Sequence, residues 1–164
     1  MVLLIETLFG NRRAEIVEHA ISEADAEALR VRLAGWTRYT LLDRGSYEFI
    51  DDIVEPALFA RFASYGTITS ARALRLSPGD YVLAHHDVLH DDLPLELVLD
   101  LSPAPVPADV DYRRRGQAFF RVPCAPRSLS IVERGPTVTR NHTYVSKQTP
   151  GVVIRLVMIA RSAS

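Results

Sequence analysis

The chain is poor in cysteine, tryptophan, methionine and lysine: one Cys, one Trp, two Met and a single lysine, Lys147, among 19 basic residues. One cysteine, Cys124, excludes an internal disulfide framework and is what a reducing, cytoplasmic setting leads one to expect. Neither sign of charge dominates, since 19 basic residues face 20 acidic ones for a formal net charge of -1. That balance supplies no broad basic footprint for nucleic acid or for an anionic membrane. No apolar run approaches the roughly 20 residues of a membrane span. The segment Met1-Val2-Leu3-Leu4-Ile5-Glu6 carries no basic leader, so neither a secretory signal nor a membrane anchor is expected.

What remains is an ordinary globular composition. The 164 residues are 48% hydrophobic and 24% charged, enough for one domain with a core of its own. Val2 to Phe9 reads as a strand. Ser22-x-x-Asp25 opens a helix in the manner of a capping box, with Ala26, Leu29 and Leu33 at helical spacing and Gly35 as the stop. Ile53 to Tyr65 reads as a second helix, with Pro56 near its first turn.

From Thr67 onward the pattern changes to short strands between turn signals. The expected strands are Thr67 to Leu76, Tyr81 to His85, Leu95 to Leu101, Val110 to Arg114, Gln117 to Val122, Ser128 to Glu133, Thr137 to Ser146 and Val152 to Ala160. Short strands with no long helix between them favour a mainly β fold with supporting N-terminal helices. The architecture expected is a double-stranded β-helix, the jelly-roll or cupin-like barrel. The whole chain, 1–164, is then one domain, with 1–66 as support and 67–161 as the β-helix core.

The chemistry concentrates in a few residues. His85 and Asp87 stand two apart, so in a strand both side chains face one way while His86 faces the other. Alone, such a pair is an ordinary feature of a strand end. A third histidine, His142, lies in a later expected strand that a barrel can bring across. Two imidazoles and a carboxylate on one face of a metal form the ligand set of mononuclear non-haem Fe(II) oxygenases.

Arg155 interrupts the apolar run Val152-Val153-Ile154-Arg155-Leu156-Val157-Met158-Ile159-Ala160. A guanidinium cannot shed its charge, so burial demands an anion or several acceptors. A carboxylate of an acidic co-substrate would satisfy it in a bidentate pair; an internal ion pair is the alternative. Tyr81 shares the parity of Leu83, His85 and Asp87, which would turn it inward toward a co-substrate, and structural burial is the other reading. Arg140 shares the parity of His142 and, with His90 in the loop after Asp87, is a candidate contact for substrate. Cys124, in Pro123-Cys124-Ala125-Pro126, has no adjacent base to make it a nucleophile.

The segment from Ser77-Pro78-Gly79-Asp80-Tyr81 to Asp87 resembles the Pro-Gly-Asp turn and His-x-Asp strand of the Fe(II)/2-oxoglutarate dioxygenases, most of all their small prolyl-hydroxylase-like branch. The resemblance runs from about residue 67 to 161. It implies His85, Asp87 and His142 as iron ligands and Arg155 as the partner of the distal carboxylate of 2-oxoglutarate. Fe(II), 2-oxoglutarate and O2 are the implied cofactor and co-substrates, with succinate and CO2 as co-products of hydroxylation at an unactivated C–H bond. A small metabolite, an amino acid or a peptidyl residue is the implied substrate class. The carboxylate Asp87 is retained, which disfavours halogenation. Arg155 lies further past His142 than is common in that family, so the anchor is either Arg155 or another residue. The alternative is a cupin-like barrel that binds metal or ligand without redox chemistry; the absence of a His-x-His pair counts against it. Substrate identity, the outcome after hydrogen abstraction and the oligomeric state are not written in the sequence.

Overall fold

The computed structural model describes residues 2–4, 13–84, 88–148 and 151–162. Among these described residues, twelve strands form one continuous sheet in the order β1-β2-β10-β7-β12-β5-β4-β6-β11-β8-β9, with β3 paired to β4 at the side. The strands are β1 (Val2–Leu4), β2 (Ala14–Val17), β3 (Thr37–Leu41), β4 (Gly45–Ile50), β5 (Thr67–Leu76), β6 (Tyr81–Val82), β7 (Leu95–Asp100), β8 (Val110–Arg114), β9 (Gln117–Val122), β10 (Leu129–Glu133), β11 (Val138–His142) and β12 (Val153–Arg161). Each described pairing is antiparallel.

The strand order reveals the winding. β5, β12, β7 and β10 lie side by side, and so do β6, β11, β8 and β9. Along the chain the path alternates between these two groups, except at the β8–β9 hairpin. That alternation is a double-stranded β-helix, a nearly closed jelly-roll barrel. β4 joins the two halves by pairing with β6 at its start and with β5 at its end, while β3 takes its other edge.

The helices cover the outside of the first half. α1 (Glu23–Arg32) starts where Ser22 Oγ accepts the amide of Asp25 at 3.1 Å, the cap that the sequence pattern signals. α2 (Pro56–Arg61) has proline in its first turn and gives way to a 3-10 turn, Ala63–Tyr65, so the expected single helix is two pieces. Ala26, Leu29, Leu58 and Phe62 pack on Leu97, Leu99, Ile131, Leu156 and Met158. The opposite face of the same strands supplies the barrel interior, where Leu74, Val98, Val153 and Val157 meet Tyr47, Val82 and Val145. Strand β12 is thus buried on both faces, which is why its sequence lacks the alternation of a half-exposed strand.

Three differences from the sequence expectation have physical causes. β2, β3 and β4 were not anticipated, because charged and small residues break their apolar pattern. Residues 1–66 therefore add strands to the sheet as well as helices. β6 is only Tyr81–Val82, and the strands expected to reach Ser146 and Phe9 end at His142 and, within the described residues, Leu4.

The turn before β6 is pinned by Asp80. Its carboxylate accepts the amide of Ser77 at 2.9 Å and the guanidinium of Arg38 at 2.8 Å. Gly79 has φ +96, a left-handed conformation that glycine adopts without steric cost. Its amide reaches Val145 O at 2.7 Å, and Val145 N returns to Asp80 O at 2.9 Å. This clasp fixes the segment after β11 against the turn before β6. The described helices include none long and apolar enough to cross a membrane.

Candidate functional site

Between the two halves of the barrel lies a cavity of about 300 Å³. One part of its wall is apolar: Leu74, Val82, Val157 and Ile159. The rest carries charge, with Arg72, Asp51 and Asp52 on one side and Glu96, Arg134, Arg140 and His90 on the other.

Glu96 organises the charged side. It sits on β7, 1% exposed, in the otherwise apolar Leu95-Glu96-Leu97. Arg134, fully buried, donates to Glu96 Oε1 at 2.9 Å, and Arg140 from β11 donates to the same oxygen. The Tyr112 hydroxyl, from β8, donates to Glu96 Oε2 at 2.6 Å. Burial opposes the charge on Glu96, but Arg140, Arg134 and the Tyr112 hydroxyl outweigh it, and the carboxyl is held below its usual range. Burial, with Glu96 beside it, pushes the Tyr112 phenol well up. Arg134 also reaches Val138 O at 3.1 Å and Val88 O at 3.4 Å, tying the segment after 85–87 to the cavity floor.

Sequence reasoning missed this cluster. Its signal was present: Glu96 is a carboxylate between two leucines in an oily strand, the same anomaly as Arg155 with the opposite sign. At the mouth, Arg72 pairs with Asp51 at 2.5 Å and lies over the Phe49 ring at 4.4 Å.

His85 and Asp87 lie outside the described residues. The described residues nearest them on either side that line the cavity are Val82 and Val88. Among the described residues no group of three or more metal-ligating side chains converges. His90 and Arg140 both line the cavity.

His142 and Arg155 are brought together, but away from the cavity lining. His142 is fully buried on β11 and pairs in the ladders with Val82 and Val110. Arg155, 2% exposed near the start of β12, donates to His142 Nδ1 at 3.0 Å and to Ala108 O at 2.9 Å. Burial, reinforced by Arg140, Arg155 and Arg134, holds the His142 imidazole well below its usual range, so the ring is neutral. Burial likewise lowers Arg155 from its ordinary value, with Asp100 opposing. Asp100 accepts the amides of Ser102 and Ala125, each at 2.9 Å, and no described salt bridge joins it to Arg155. The internal acid pair for Arg155 is therefore not made among the described residues; a backbone carbonyl and an imidazole stand in its place.

The contact bears on the third iron ligand that the resemblance implies. An arginine only donates, so Nδ1 must accept and the neutral ring carries its proton on Nε2. A metal needs the Nε2 lone pair. The Nε2 atom has no hydrogen-bond partner among the described residues, a cost of about 1–3 kcal/mol for a buried polar group.

The inward Tyr81 is corrected. Val82, not Tyr81, lines the cavity, and the Tyr81 hydroxyl donates to Leu42 O at 2.6 Å. The parity argument failed because β6 ends after two residues, so strand alternation does not continue through Leu83 and Ala84. Cys124 is buried, and burial, with Asp100 nearby, raises its thiol above the ordinary range. Both features suit an inert packing residue.

No protein-family model and no curated protein matches the sequence. Solved structures do match the fold. A prolyl-4-hydroxylase from Pseudomonas putida superposes with a TM-score of 0.69 at 12% identity, over 92% of this chain and 93% of that one. A 2OG-Fe(II) oxygenase family oxidoreductase from Burkholderia pseudomallei gives 0.62 at 13% identity, over 89% and 84%. The non-heme alpha ketoglutarate dependent carbocyclase SnoK from nogalamycin biosynthesis gives 0.59 at 11%, over 90% and 79%. At such identities the likeness is one of architecture: this chain has the barrel fold that these oxygenases have.

Proposed function

We propose that this chain is an oxygenase of the Fe(II)/2-oxoglutarate kind, acting on a small metabolite, an amino acid or a peptidyl residue. The observation that carries the reading is topological. The His85-x-Asp87 motif directly follows the short strand β6, which pairs with β11 in a double-stranded β-helix, and cavity-lining Val82 and Val88 flank it. His85 and Asp87 are the residues that would hold the metal. Iron in such a site supplies the activation of dioxygen, with 2-oxoglutarate as the co-substrate that leaves as succinate and CO2. His142 does not fit the third place while Arg155 occupies its Nδ1.

The chain's own groups define what enters. Arg140, on the cavity wall, is a donor for an acid group of co-substrate or substrate, and Arg155 is not on that wall. Leu74, Val82, Val157 and Ile159 offer a dry surface to the hydrocarbon portion. A cavity of about 300 Å³ suits a compact ligand or one presented side chain better than an extended one.

The engagement of His142 favours one second reading: a barrel of the same fold that binds a metal or an acidic ligand without redox chemistry. Anaerobic titration with Fe(II) and 2-oxoglutarate separates the two. The oxygenase reading expects a weak visible charge-transfer band that disappears in His85→Ala. Bound metal without any band would leave the non-redox reading.

A further inference from the structure

A buried polar contact inside the barrel joins the residues that the family resemblance implies for iron and for co-substrate. We infer that His142 and Arg155 form a buried bolt between the two halves of the barrel, with His142 fixed as the Nε2–H tautomer, and that neither side chain serves a metal or an acid ligand. This goes beyond the oxygenase reading and does not need it to hold.

Three observations carry the inference. The first is the donor inventory. Arg155 can only donate, so the 3.0 Å contact makes Nδ1 an acceptor, which excludes both the Nδ1–H tautomer and the imidazolium. The second is position. His142 is fully buried and Arg155 2% exposed, and neither lines the cavity. Arg140, two residues earlier on the same strand face, does line it. Two residues along a strand are about 6.6 Å, so the inward side chain that β11 presents to the cavity is Arg140. The third is connectivity. Arg155 lies on β12, His142 on β11, and Ala108 just before β8. One guanidinium therefore links the first half of the barrel to two neighbouring segments of the second.

The test is the tautomer of His142, read by long-range 1H–15N correlation in 15N-labelled protein and assigned by its absence in His142→Asn. The measurement is made without metal and again with Zn(II), a diamagnetic probe. The inference expects the Nε2–H tautomer in both states. It also expects Zn(II) affinity in folded His142→Asn to stay within about threefold of wild type, well inside the 10- to 100-fold scale on which even outer-shell partners act. An Nδ1–H tautomer in the free protein, or a Zn(II)-induced shift of Nε2 to a metal-bound value, overturns it. If His142→Asn does not fold, the signal is assigned in Arg155→Lys and the wild-type tautomer decides. If wild type takes up no metal, the oxygenase reading fails while the metal-free tautomer still decides the bolt.

Discussion

Arg155 and His142 meet across the barrel interior at 3.0 Å, cation to neutral ring, with no carboxylate in ion-pair range among the described residues. Under the inference drawn from it, Arg155 is a structural residue and not a co-substrate anchor. A planar guanidinium reaches Ala108 O and His142 Nδ1 at once; an ammonium, a point donor, does not reproduce that fork. Arg155→Lys is expected to lose about 1–3 kcal/mol of stability by leaving a buried acceptor unpaired. A urea melt measures it. Half-saturation by 2-oxoglutarate should not move; unchanged stability with weakened binding would return Arg155 to the anchor role.

Arg140 is the guanidinium that β11 presents to the cavity wall, where Arg72 and Arg134 also stand. Arg140→Gln should weaken 2-oxoglutarate binding about 10- to 100-fold, the equivalent of one charge-assisted hydrogen bond of roughly 1.5–3 kcal/mol. Calorimetric titration reads the affinity, and circular dichroism confirms the fold. Equal affinity in the variant would remove Arg140 from the acid-binding site.

Glu96 is shared by Arg134, Arg140 and Tyr112. Glu96→Ala leaves buried cations uncompensated and is expected to cost about 3–5 kcal/mol. The pH dependence follows from the direction of its shift. The folded carboxyl releases its proton more readily than the unfolded one, whose ordinary value is 4.5. Its contribution is therefore complete above that value and is lost as pH falls through the lower folded one. Denaturation between pH 7 and pH 3 should show a shallower acid limb in Glu96→Gln than in wild type. Parallel acid limbs would contradict the assignment.

Gly66 ends the 3-10 turn before β5 with φ +133, and a Cβ there would lie 2.7 Å from Arg161 O. That contact is backbone and cannot swing aside. Gly66→Ala should destabilise by about 1–3 kcal/mol, the scale of a strained backbone position. Thermal melts check this, and an unchanged melting temperature would mean that the β5–β12 edge relaxes.

Much of the barrel was legible because its strands carry their own signals. Thr67–Leu76, Val110–Arg114 and Gln117–Val122 fall where alternation and turn residues put them. The Ser22 cap and Pro56 marked their helices for reasons of backbone chemistry. β3 and β4 were not legible: Thr37–Leu41 is largely exposed, and β4 is a strand through its partners β5 and β6, which no local pattern encodes. The inner and outer faces of β12 followed from parity, and so did the burial of Arg155. What parity cannot give is the partner across the barrel. The meeting of Arg155 with His142, and of Glu96 with Arg140, depends on how two sheets stack. Tyr81 shows the complementary limit, since a parity argument holds only as long as the strand does.

A crystal structure of the protein with Mn(II) and 2-oxoglutarate, grown without oxygen, tests the central claim most directly. The account predicts metal bound by His85 and Asp87, an acid group of the ligand on Arg140, and Arg155 still donating to His142 Nδ1. Metal on His142 Nε2, with the distal carboxylate on Arg155, would contradict it.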